Sequence, residues 1–417
     1  MNNLKISIGI GFFLAWRSIK HSSLWSTILI ISVMVLTFLN IVVISGILVG
    51  LIEGSVSGWR GKFTGDVIIS TFTEKQYIEN TQKVLSVIEI TPGIDSYSTR
   101  YAEGGTVESN WKEKINSTDK GESAGTTFVG IVPKNELAVT GIDQDLIEGE
   151  FINNTDFDQV VLGYLMLRRY LPFEAAGFTA IDAQIGDKIL VTVGGVSREV
   201  YLKGIIKTKV DENDRRVFFP AAQLRQMIGR DDFNVDEIAM KLKEGVDPVE
   251  VRDRLLALGL GEYGKVQTYT DAQPKFLDDI KKTFALLGNV ISSIGLAVAS
   301  ITVFIVIFIN ALTRRKFIGI LKGIGIDRKA IEISYIFQSF FYAVIGSAIG
   351  LFIVFAILVP FFDAYPINFP FSDGILVATV SGTMIRLVIL IVITIIAGYI
   401  PARLIVRQNT LDSILGR

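Results

Sequence analysis

The chain has 417 residues, of which 50% are hydrophobic and 20% charged, and its formal net charge at pH 7 is −1. It contains no cysteine and a single histidine, His21, which excludes disulfides, thiol nucleophiles and cysteine-ligated metal sites. The charged residues are concentrated between positions 53 and 279, whereas isoleucine, valine, leucine and phenylalanine dominate on both sides of this interval. This segregation excludes a single water-soluble domain and indicates a membrane protein.

The first 52 residues predict two helices. Residues 1–23 combine aromatic and basic side chains, including Trp16, Arg17 and Lys20, which is typical of a helix at a membrane interface. Residues 24–52 contain no charged side chain and are long enough to cross the hydrocarbon core of a bilayer. We therefore predict an interfacial N-terminal helix followed by transmembrane helix 1.

Residues 53–279 have the composition of a soluble domain that is large enough to bury its own core. Gly194-Gly195 predicts the turn of a β-hairpin, and the polar stretch 103–125 is typical of a mobile loop or an extended hairpin. The predicted strands are residues 66–70, 127–132, 159–162, 188–193 and 198–206, and the predicted helices are residues 74–90, 164–171, 221–228 and 248–258.

Three further apolar runs follow this domain, at residues 284–312, 333–362 and 375–401. A basic segment (residues 313–332) and a short loop (residues 363–374) separate them, and a tail (residues 402–417) ends the chain. The predicted fold class is therefore membrane α-helical, with four transmembrane helices and a large mixed α+β extracytoplasmic domain inserted between helices 1 and 2.

The distribution of positive charge predicts the orientation. The N-terminal segment, the segment 313–332 and the tail are rich in lysine and arginine, whereas the loop 363–374 contains acids and no base. Positive charge favours the cytoplasmic side, so we predict a multi-pass protein of a bacterial-type cytoplasmic (inner) membrane with both termini cytoplasmic and the large domain outside. Because topology explains the basic clusters, we predict no nucleic-acid partner.

The acidic clusters carry no recognisable metal site. Asp211-Glu212-Asn213-Asp214 and Asp231-Asp232 lack the spacing and the closing glutamate of an EF-hand, so we predict solvated turns and no metal. The single histidine lies outside the polar domain, which excludes a Ser-His-Asp site there. We expect that the chain is not an enzyme by itself.

Two features of the membrane part are informative. The segment 313–332 is both basic and apolar, which predicts an amphipathic helix that lies on the membrane surface or docks into the groove of a partner. Arg386, deep within the fourth run, is costly in lipid; it either takes part in function or reaches the outer headgroups if the helix starts late. The glycine pairs Gly46/Gly50 and Gly346/Gly350 predict close helix packing, within the bundle or across a dimer.

The layout and the motifs resemble the permease subunits of the MacB/LolC/LolE/FtsX group of ABC transporters. The sequence Arg315-Lys-Phe-Ile-Gly-Ile-Leu-Lys-Gly-Ile-Gly-Ile-Asp-Arg-Lys is similar to the signature after their second transmembrane helix, with Phe317 in place of the usual acid. Ala15-Trp16-Arg17 and the tail that begins at Pro401-Ala-Arg also resemble the group, and Thr410 stands where proline is usual. The resemblance is strongest to the lipoprotein-releasing LolC/LolE branch, and residues 53–279 would be a MacB-like periplasmic core domain.

The resemblance implies a permease dimer, of identical or related chains, that works with a separate ABC ATPase subunit. ATP and Mg would bind to that partner, with no cofactor on this chain. The residues implied to couple the permease to the ATPase are Arg315, Gly319, Ile320, Leu321, Lys322, Ile324, Gly325 and Arg328. The residues that could line an outward cavity for a lipid or a lipoprotein anchor are Asn40, Asn289, Gln338 and Arg386.

The implied function is the transmission of ATPase motion to the outer domain for lipoprotein release or for export of a lipidic or hydrophobic substrate. Membrane lipid, a lipoprotein and a periplasmic adaptor are the further partners expected on this basis. Two alternatives remain within the group: a MacB-like efflux or peptide-export permease, and an FtsX-like mechanotransmitter that controls an outer enzyme. A membrane-anchored receptor without an ATPase leaves the apolar residues of the segment 313–332 unexplained.

Overall fold

The computed structural model describes residues 2–22, 24–113, 122–171, 179–369, 372–374 and 376–407. The chain divides into two compact units. Met1–Ile52, Asp279–Asn368 and Asp373–Arg417 form the first, here called the helical unit. Glu53–Asp278 and Phe369–Ser372 form the second, here called the inserted domain.

The α-helices of the described residues are, in chain order, α1 (Asn2–Lys20), α2 (Leu24–Trp59), α3 (Thr81–Ile90), α4 (Pro133–Thr140), α5 (Asp211–Asp214), α6 (Ala221–Met227), α7 (Pro248–Ala257), α8 (Lys275–Thr313), α9 (Arg315–Gly323), α10 (Arg328–Ile353), α11 (Val359–Ala364) and α12 (Val380–Val406). The strands are β1 (Val67–Ser70), β2 (Ile94–Ser109), β3 (Glu122–Ile131), β4 (Leu146–Gly149), β5 (Gln159–Gly163), β6 (Lys188–Val193), β7 (Val196–Ile206), β8 (Arg216–Pro220), β9 (Glu237–Leu242), β10 (Lys265–Thr268), β11 (Ile367–Phe369) and β12 (Ser372–Gly374).

Four helical stretches are long and apolar enough to cross a membrane, which confirms the predicted membrane fold with a mixed α and β domain after its first helix. They are Thr27–Thr64, Leu277–Thr313, Arg328–Ala364 and Val380–Val406. Two of them include a π-helical turn, Arg60–Thr64 after α2 and Val354–Leu358 after α10. The fourth begins at Val380, later than the predicted start at residue 375.

Small residues let the helices of the helical unit approach closely. Gly350 of α10 faces Phe38 of α2, and a Cβ on this glycine would lie 2.5 Å from the Phe38 Cδ1. One turn earlier, Gly346 contacts Met34 of α2 in the same way. This glycine pair therefore packs α10 against α2 inside the chain, which is the first of the two roles that its spacing predicts.

The inserted domain is built on a mixed sheet. Its path runs β10-β1-β9-β2-β3-β8-β5-β7-β4, and β6 pairs with both β2 and β7. These pairings close a ring of β2, β3, β8, β5, β7 and β6, in which β3–β8 and β5–β7 are parallel and the other pairs antiparallel. The ring is therefore a small barrel, and β9, β1 and β10 extend the sheet from β2.

Successive apolar side chains along the strands point alternately into two separate hydrophobic cores. Val160 and Leu162 of β5 point into the larger cluster, whereas Val161 between them belongs to a smaller cluster. Phe219 and Phe218 of β8 divide in the same way. Because successive side chains of a strand point to opposite faces, apolar strands of this kind are covered on both sides.

Most of the predicted local structure of this domain is confirmed. The hairpin at Gly194-Gly195 joins β6 to β7, and Asp247 caps α7 by accepting a hydrogen bond from the Val249 N–H. The stretch 103–125 includes parts of β2 and β3 and is an extended hairpin, whose residues 114–121 lie outside the described ones.

Two predicted helices are wrong in part. The predicted helix 74–90 begins only at Thr81, because Asn80 has a positive φ of 52° that no helix can continue through. Residues 164–171 form two 3₁₀ turns, Tyr164–Met166 and Arg168–Tyr170, in place of an α-helix.

Candidate functional site

The segment between the second and third membrane helices folds into the short helix α9 and a tight turn. Gly325 follows α9 with a φ of 92°, a conformation that favours glycine. The Gly325 N–H donates to the Lys322 carbonyl and the Ile326 N–H to the Leu321 carbonyl, both at 3.0 Å. These two bonds form a Schellman motif. Asp327 then caps α10 by accepting a hydrogen bond from the Lys329 N–H at 3.2 Å.

The apolar side chains of this segment divide between two faces. Ile318 is buried, and Leu321 and Ile326 are half-buried against the same cluster of membrane-helix side chains. On the other face, Ile320 is 52% and Ile324 71% exposed. One face of α9 is therefore fixed to the membrane helices, whereas Ile320 on its other face and Ile324, which directly follows α9, are mostly exposed.

The predicted coupling residues occupy different parts of this segment. Arg315, Leu321 and Lys322 are half-buried, and Gly319 is buried, so it acts through packing. Burial, together with the charge of Arg328, lowers the pKa of the Lys322 amine. The members that are exposed are Ile320, Ile324, Gly325 and Arg328.

The four predicted cavity residues lie on four different membrane helices. Gln338 precedes Ser339, which contacts Gly398 of α12. Arg386 lies twelve residues before Gly398 in α12, about 18 Å along the helix axis. Within the described residues, no hydrogen bond or ion pair joins any two of these four side chains. Their grouping along a common substrate path stays a prediction.

The other three cavity residues lie in different environments. Asn40 of α2 is half-buried against Gly295 of α8, and its Oδ1 has no hydrogen-bond partner in the described part of the chain. Asn289 is exposed. Arg386 is the seventh residue of α12, about 9 Å from the start of the helix, which favours an extended side chain that reaches the headgroups.

The segment through which the chain enters the inserted domain is tightly held. Phe63, in the π-helical turn after α2, packs on Trp59 with 4.7 Å between ring centroids. The Phe63 carbonyl accepts a hydrogen bond of 2.7 Å from Arg100 Nη2. The Lys62 carbonyl accepts one of 2.7 Å from Asn213 Nδ2, and Lys62 Nζ forms an ion pair of 2.8 Å with Asp145. This turn is therefore a rigid part of the domain.

Arg100 belongs to a buried ionic network. It pairs with Glu136 at 2.7 Å and with Glu237 at 3.3 Å, and Arg216 pairs with Glu237 at 3.0 Å. Burial alone would raise the pKa of Glu237, but the charges of Arg216 and Arg100 outweigh it and lower the pKa to about 2. The sequence holds no signal for this network, because an arginine within a strand is normally interpreted as solvent-facing.

Asp214 contradicts the prediction of a solvated turn at residues 211–214. Its carboxylate is buried and accepts hydrogen bonds from the Thr208 N–H at 2.7 Å and from the Thr208 hydroxyl at 2.9 Å. Burial raises the pKa of Asp214 to about 7 despite these bonds. The short helix α5 turns this carboxylate into the domain, whereas Asp211 of the same helix stays exposed.

Two protein families match the sequence. Residues 27–258 match the MacB-like periplasmic core domain, and residues 289–410 match the FtsX-like permease C-terminal family. The first match covers more than half of the chain, and the second contains α9, α10 and the part of α8 from residue 289 onward. Neither match singles out lipoprotein release.

Individual relatives agree with these families. The macrolide export ATP-binding/permease protein MacB 1 of Yersinia pestis bv. Antiqua is 26% identical over 48% of this chain and 30% of its own length. The macrolide export ATP-binding/permease protein MacB of Campylobacter jejuni subsp. jejuni is 22% identical over 76% of this chain and 48% of its own. The chain thus spans less than half the length of these relatives.

A solved structure is also similar. The periplasmic region of MacB from Actinobacillus actinomycetemcomitans matches 54% of this chain and 95% of its own, at 15% identity and a TM-score of 0.35.

Proposed function

We propose that this chain, which belongs to the MacB/LolC/LolE/FtsX group of ABC transporter permeases, carries motion from a separate ABC ATPase across the membrane to its inserted domain. It is a multi-pass protein of the inner membrane. Its termini and α9 would lie in the cytoplasm and the inserted domain outside, as the distribution of lysine and arginine favours. ATP and Mg would bind to the ATPase, which would hydrolyse the nucleotide.

The exposed isoleucines of α9 carry this proposal. Ile320 and Ile324 lie one turn apart, and Arg328 adds positive charge at the start of α10. Amphipathic helices of this kind dock by placing apolar side chains at i and i+4 into a groove. An ATPase with an apolar groove and an acidic rim would fit this surface. An α9 that only joined two membrane helices would gain nothing from exposing these side chains to water.

The rigid connections of α9 suit a transmitting element. The Schellman motif at Gly325 and the cap at Asp327 leave few free torsions between α9 and α10. Ile318 fixes the inner face of α9 to the membrane helices. A force on α9 would therefore move α10, and the turn held by Arg100 would pass movement of the first membrane helix into the inserted domain.

The cargo proposed is a lipoprotein or another lipidic substrate. The predicted cavity residues Asn40, Asn289, Gln338 and Arg386 are candidates for its path. Wild-type release or export activity in an Arg386→Leu variant would remove Arg386 from this role. A second copy of this chain, or a related permease, would complete the transporter.

Macrolide or peptide efflux is the second candidate, favoured by the relatives named for macrolide export. It predicts a periplasmic adaptor in the purified complex. The FtsX-like family match keeps a third candidate, control of an outer enzyme without transport.

Affinity purification of the tagged chain from its native membrane, followed by mass spectrometry, tests the proposal. We expect an ABC ATPase to co-purify with the wild-type chain and to be lost with Ile320→Asp and Ile324→Asp. Ile90→Asp is the matched control, because Ile90 is 78% exposed on α3 of the inserted domain. Retention of the ATPase by both α9 variants would overturn the proposed docking surface. In the wild-type preparation, a co-purified lipoprotein would favour lipoprotein release, and a co-purified adaptor would favour efflux.

A further inference from the structure

A cavity of about 160 Å³ lies within the helical unit, between the end of α1, the start of α9 and the first turns of α10. Its polar lining comes from Arg17, Ser18 and His21 of the N-terminal segment, from Arg314, and from α10. None of the coupling and transport steps proposed above assigns a ligand to this cavity. Its location and its chemistry together indicate what it holds.

The cavity is positively charged. Arg314 Nη1 donates a hydrogen bond of 2.6 Å to Ser18 Oγ, which keeps the guanidinium at the cavity wall. Arg17 forms no ion pair with any residue that the structure describes. Its carbonyl accepts the Nδ1–H of His21 at 3.0 Å, which leaves Nε2 of this ring without a partner among the described residues. The lining contains no aspartate or glutamate, so within the described part of the chain neither guanidinium group has a carboxylate partner.

A buried amide also faces this space. Gln338 is 5% exposed and lines the cavity, yet its side chain makes no hydrogen bond to any described residue. Its amide atoms keep access to the cavity, where water or a ligand can form hydrogen bonds with them. An occupant with hydrogen-bonding oxygens would satisfy Gln338 and the guanidinium groups together.

The cavity lies at the boundary of the membrane. Arg314 directly follows the last residue of α8, and His21 lies three residues before the first residue of α2. The remaining wall is apolar, with Leu14, Phe317 and Ile331. Positive charge beside an apolar wall at this depth matches a phospholipid, whose phosphate lies at the boundary and whose acyl chains lie in the bilayer.

We propose that this cavity binds the phosphate group of an anionic membrane phospholipid. Arg17 and Arg314 contact the phosphate oxygens, because planar guanidinium groups bind such oxygens with paired, charge-assisted hydrogen bonds. Gln338 donates its amide to the headgroup, and the apolar wall contacts the first part of an acyl chain. The bound lipid joins α1, α9 and α10, and this inference does not depend on the proposed transport function.

Native mass spectrometry of the full chain in an uncharged detergent tests this site. The chain is titrated with dioleoylphosphatidylglycerol, with dioleoylphosphatidylcholine and with glycerol phosphate. We expect one tightly bound phosphatidylglycerol per chain, and binding about tenfold weaker in Arg17→Gln and in Arg314→Gln. Gln338→Leu should also weaken binding. Lys20→Gln is the matched control, since Lys20 is a basic residue of α1 outside the cavity lining.

Each outcome decides the proposal. Loss of the lipid in the arginine variants with retention in Lys20→Gln supports it. Equal loss of lipid in all of these variants, the control included, would reveal general charge attraction and overturn the proposal. Glycerol phosphate that binds as tightly as phosphatidylglycerol would also overturn it. Retained lipid with loss of a co-purified ATPase would reassign the two arginines to that partner. If Arg314→Gln does not fold, Arg17→Gln decides, because the Arg17 side chain is exposed and forms no ion pair with a described residue.

Discussion

Arg100 and Glu136 form an ion pair of 2.7 Å in which both side chains are buried in the inserted domain. The same guanidinium donates to the Phe63 carbonyl in the π-helical turn through which the chain enters this domain. A buried pair of this kind adds little net stability over an apolar pair, but breaking it leaves a charge without a partner. The pair therefore fixes the entry turn to the domain at a point where movement of the first membrane helix would arrive.

Arg100→Gln should strongly destabilise the inserted domain. Glu136 would keep a buried charge without its partner, at a cost of about 3–5 kcal/mol. The midpoint of thermal unfolding of the detergent-solubilised chain should fall by about 10 °C. Arg254→Gln is the matched control, because Arg254 pairs with Glu250 on the surface of α7, where such a pair contributes less than about 1 kcal/mol. Equal midpoints for the two variants would contradict the structural role of Arg100.

Glu237 should make the inserted domain sensitive to acid. Its folded-state pKa of about 2 lies below the ordinary value of 4.5, so the folded state holds the charged form. The stabilisation is complete above about pH 4.5 and is lost as the pH falls toward 2, because the unfolded chain takes up the proton first. Glu237→Gln should abolish this part of the dependence. An unchanged slope of unfolding midpoint against pH below 5 in the variant would contradict it.

Asp214 should make the inserted domain less stable as the pH rises, which is opposite to the effect of Glu237. Burial raises its folded-state pKa from 3.8 to about 7, so folding favours the protonated form. This stabilisation is complete below about pH 4 and is lost as the pH rises through 7, on the order of 4 kcal/mol in total. Asp214→Asn keeps the shape without the charge. Its unfolding midpoint should exceed that of the wild type at pH 8 and approach it at pH 5, and a constant difference between the two would disprove the assignment.

The membrane helices could be predicted from the sequence because lipid imposes a simple rule, a long apolar run without charge. Four of the six barrel strands, β3, β5, β6 and β7, were also predictable, since their alternating or continuous apolar residues specify which faces are covered. The strands β2 and β8 were not among the predicted strands. Arg100 and Asp214 were not, because a buried charge depends on partners distant in sequence. Glu136 is 36 residues from Arg100, and nothing local distinguishes it from a surface glutamate.

The candidate site could also be predicted only in part from the sequence. The amphipathic α9 was predictable from its residues and from the family motif. The grouping of Asn40, Asn289, Gln338 and Arg386 rested on polarity alone, and polarity does not specify the depth of a residue in a bundle. The structure places Gln338 and Arg314 in the lining of one cavity, which depends on how α1, α9 and α10 pack.

Gly398→Ala should separate α10 from α12. A Cβ on Gly398 would overlap the Ser339 Oγ and would lie 2.7 Å from the Ile307 Cδ1. Small residues at such crossings let membrane helices pack closely, and overpacking costs about 1–3 kcal/mol. The unfolding midpoint in detergent should therefore fall by several degrees.

Ser339→Gly in the same chain should restore part of this loss, because it removes the atoms that the new methyl group meets. Gly323→Ala is the matched control, since no atom lies within 4 Å of a Cβ at that position of α9. Alanine also favours a helix over glycine by about 1 kcal/mol, so this control should be neutral or stabilising. If Gly398→Ala were as stable as Gly323→Ala, or if Ser339→Gly gave no recovery, α10 and α12 would not meet at these two residues.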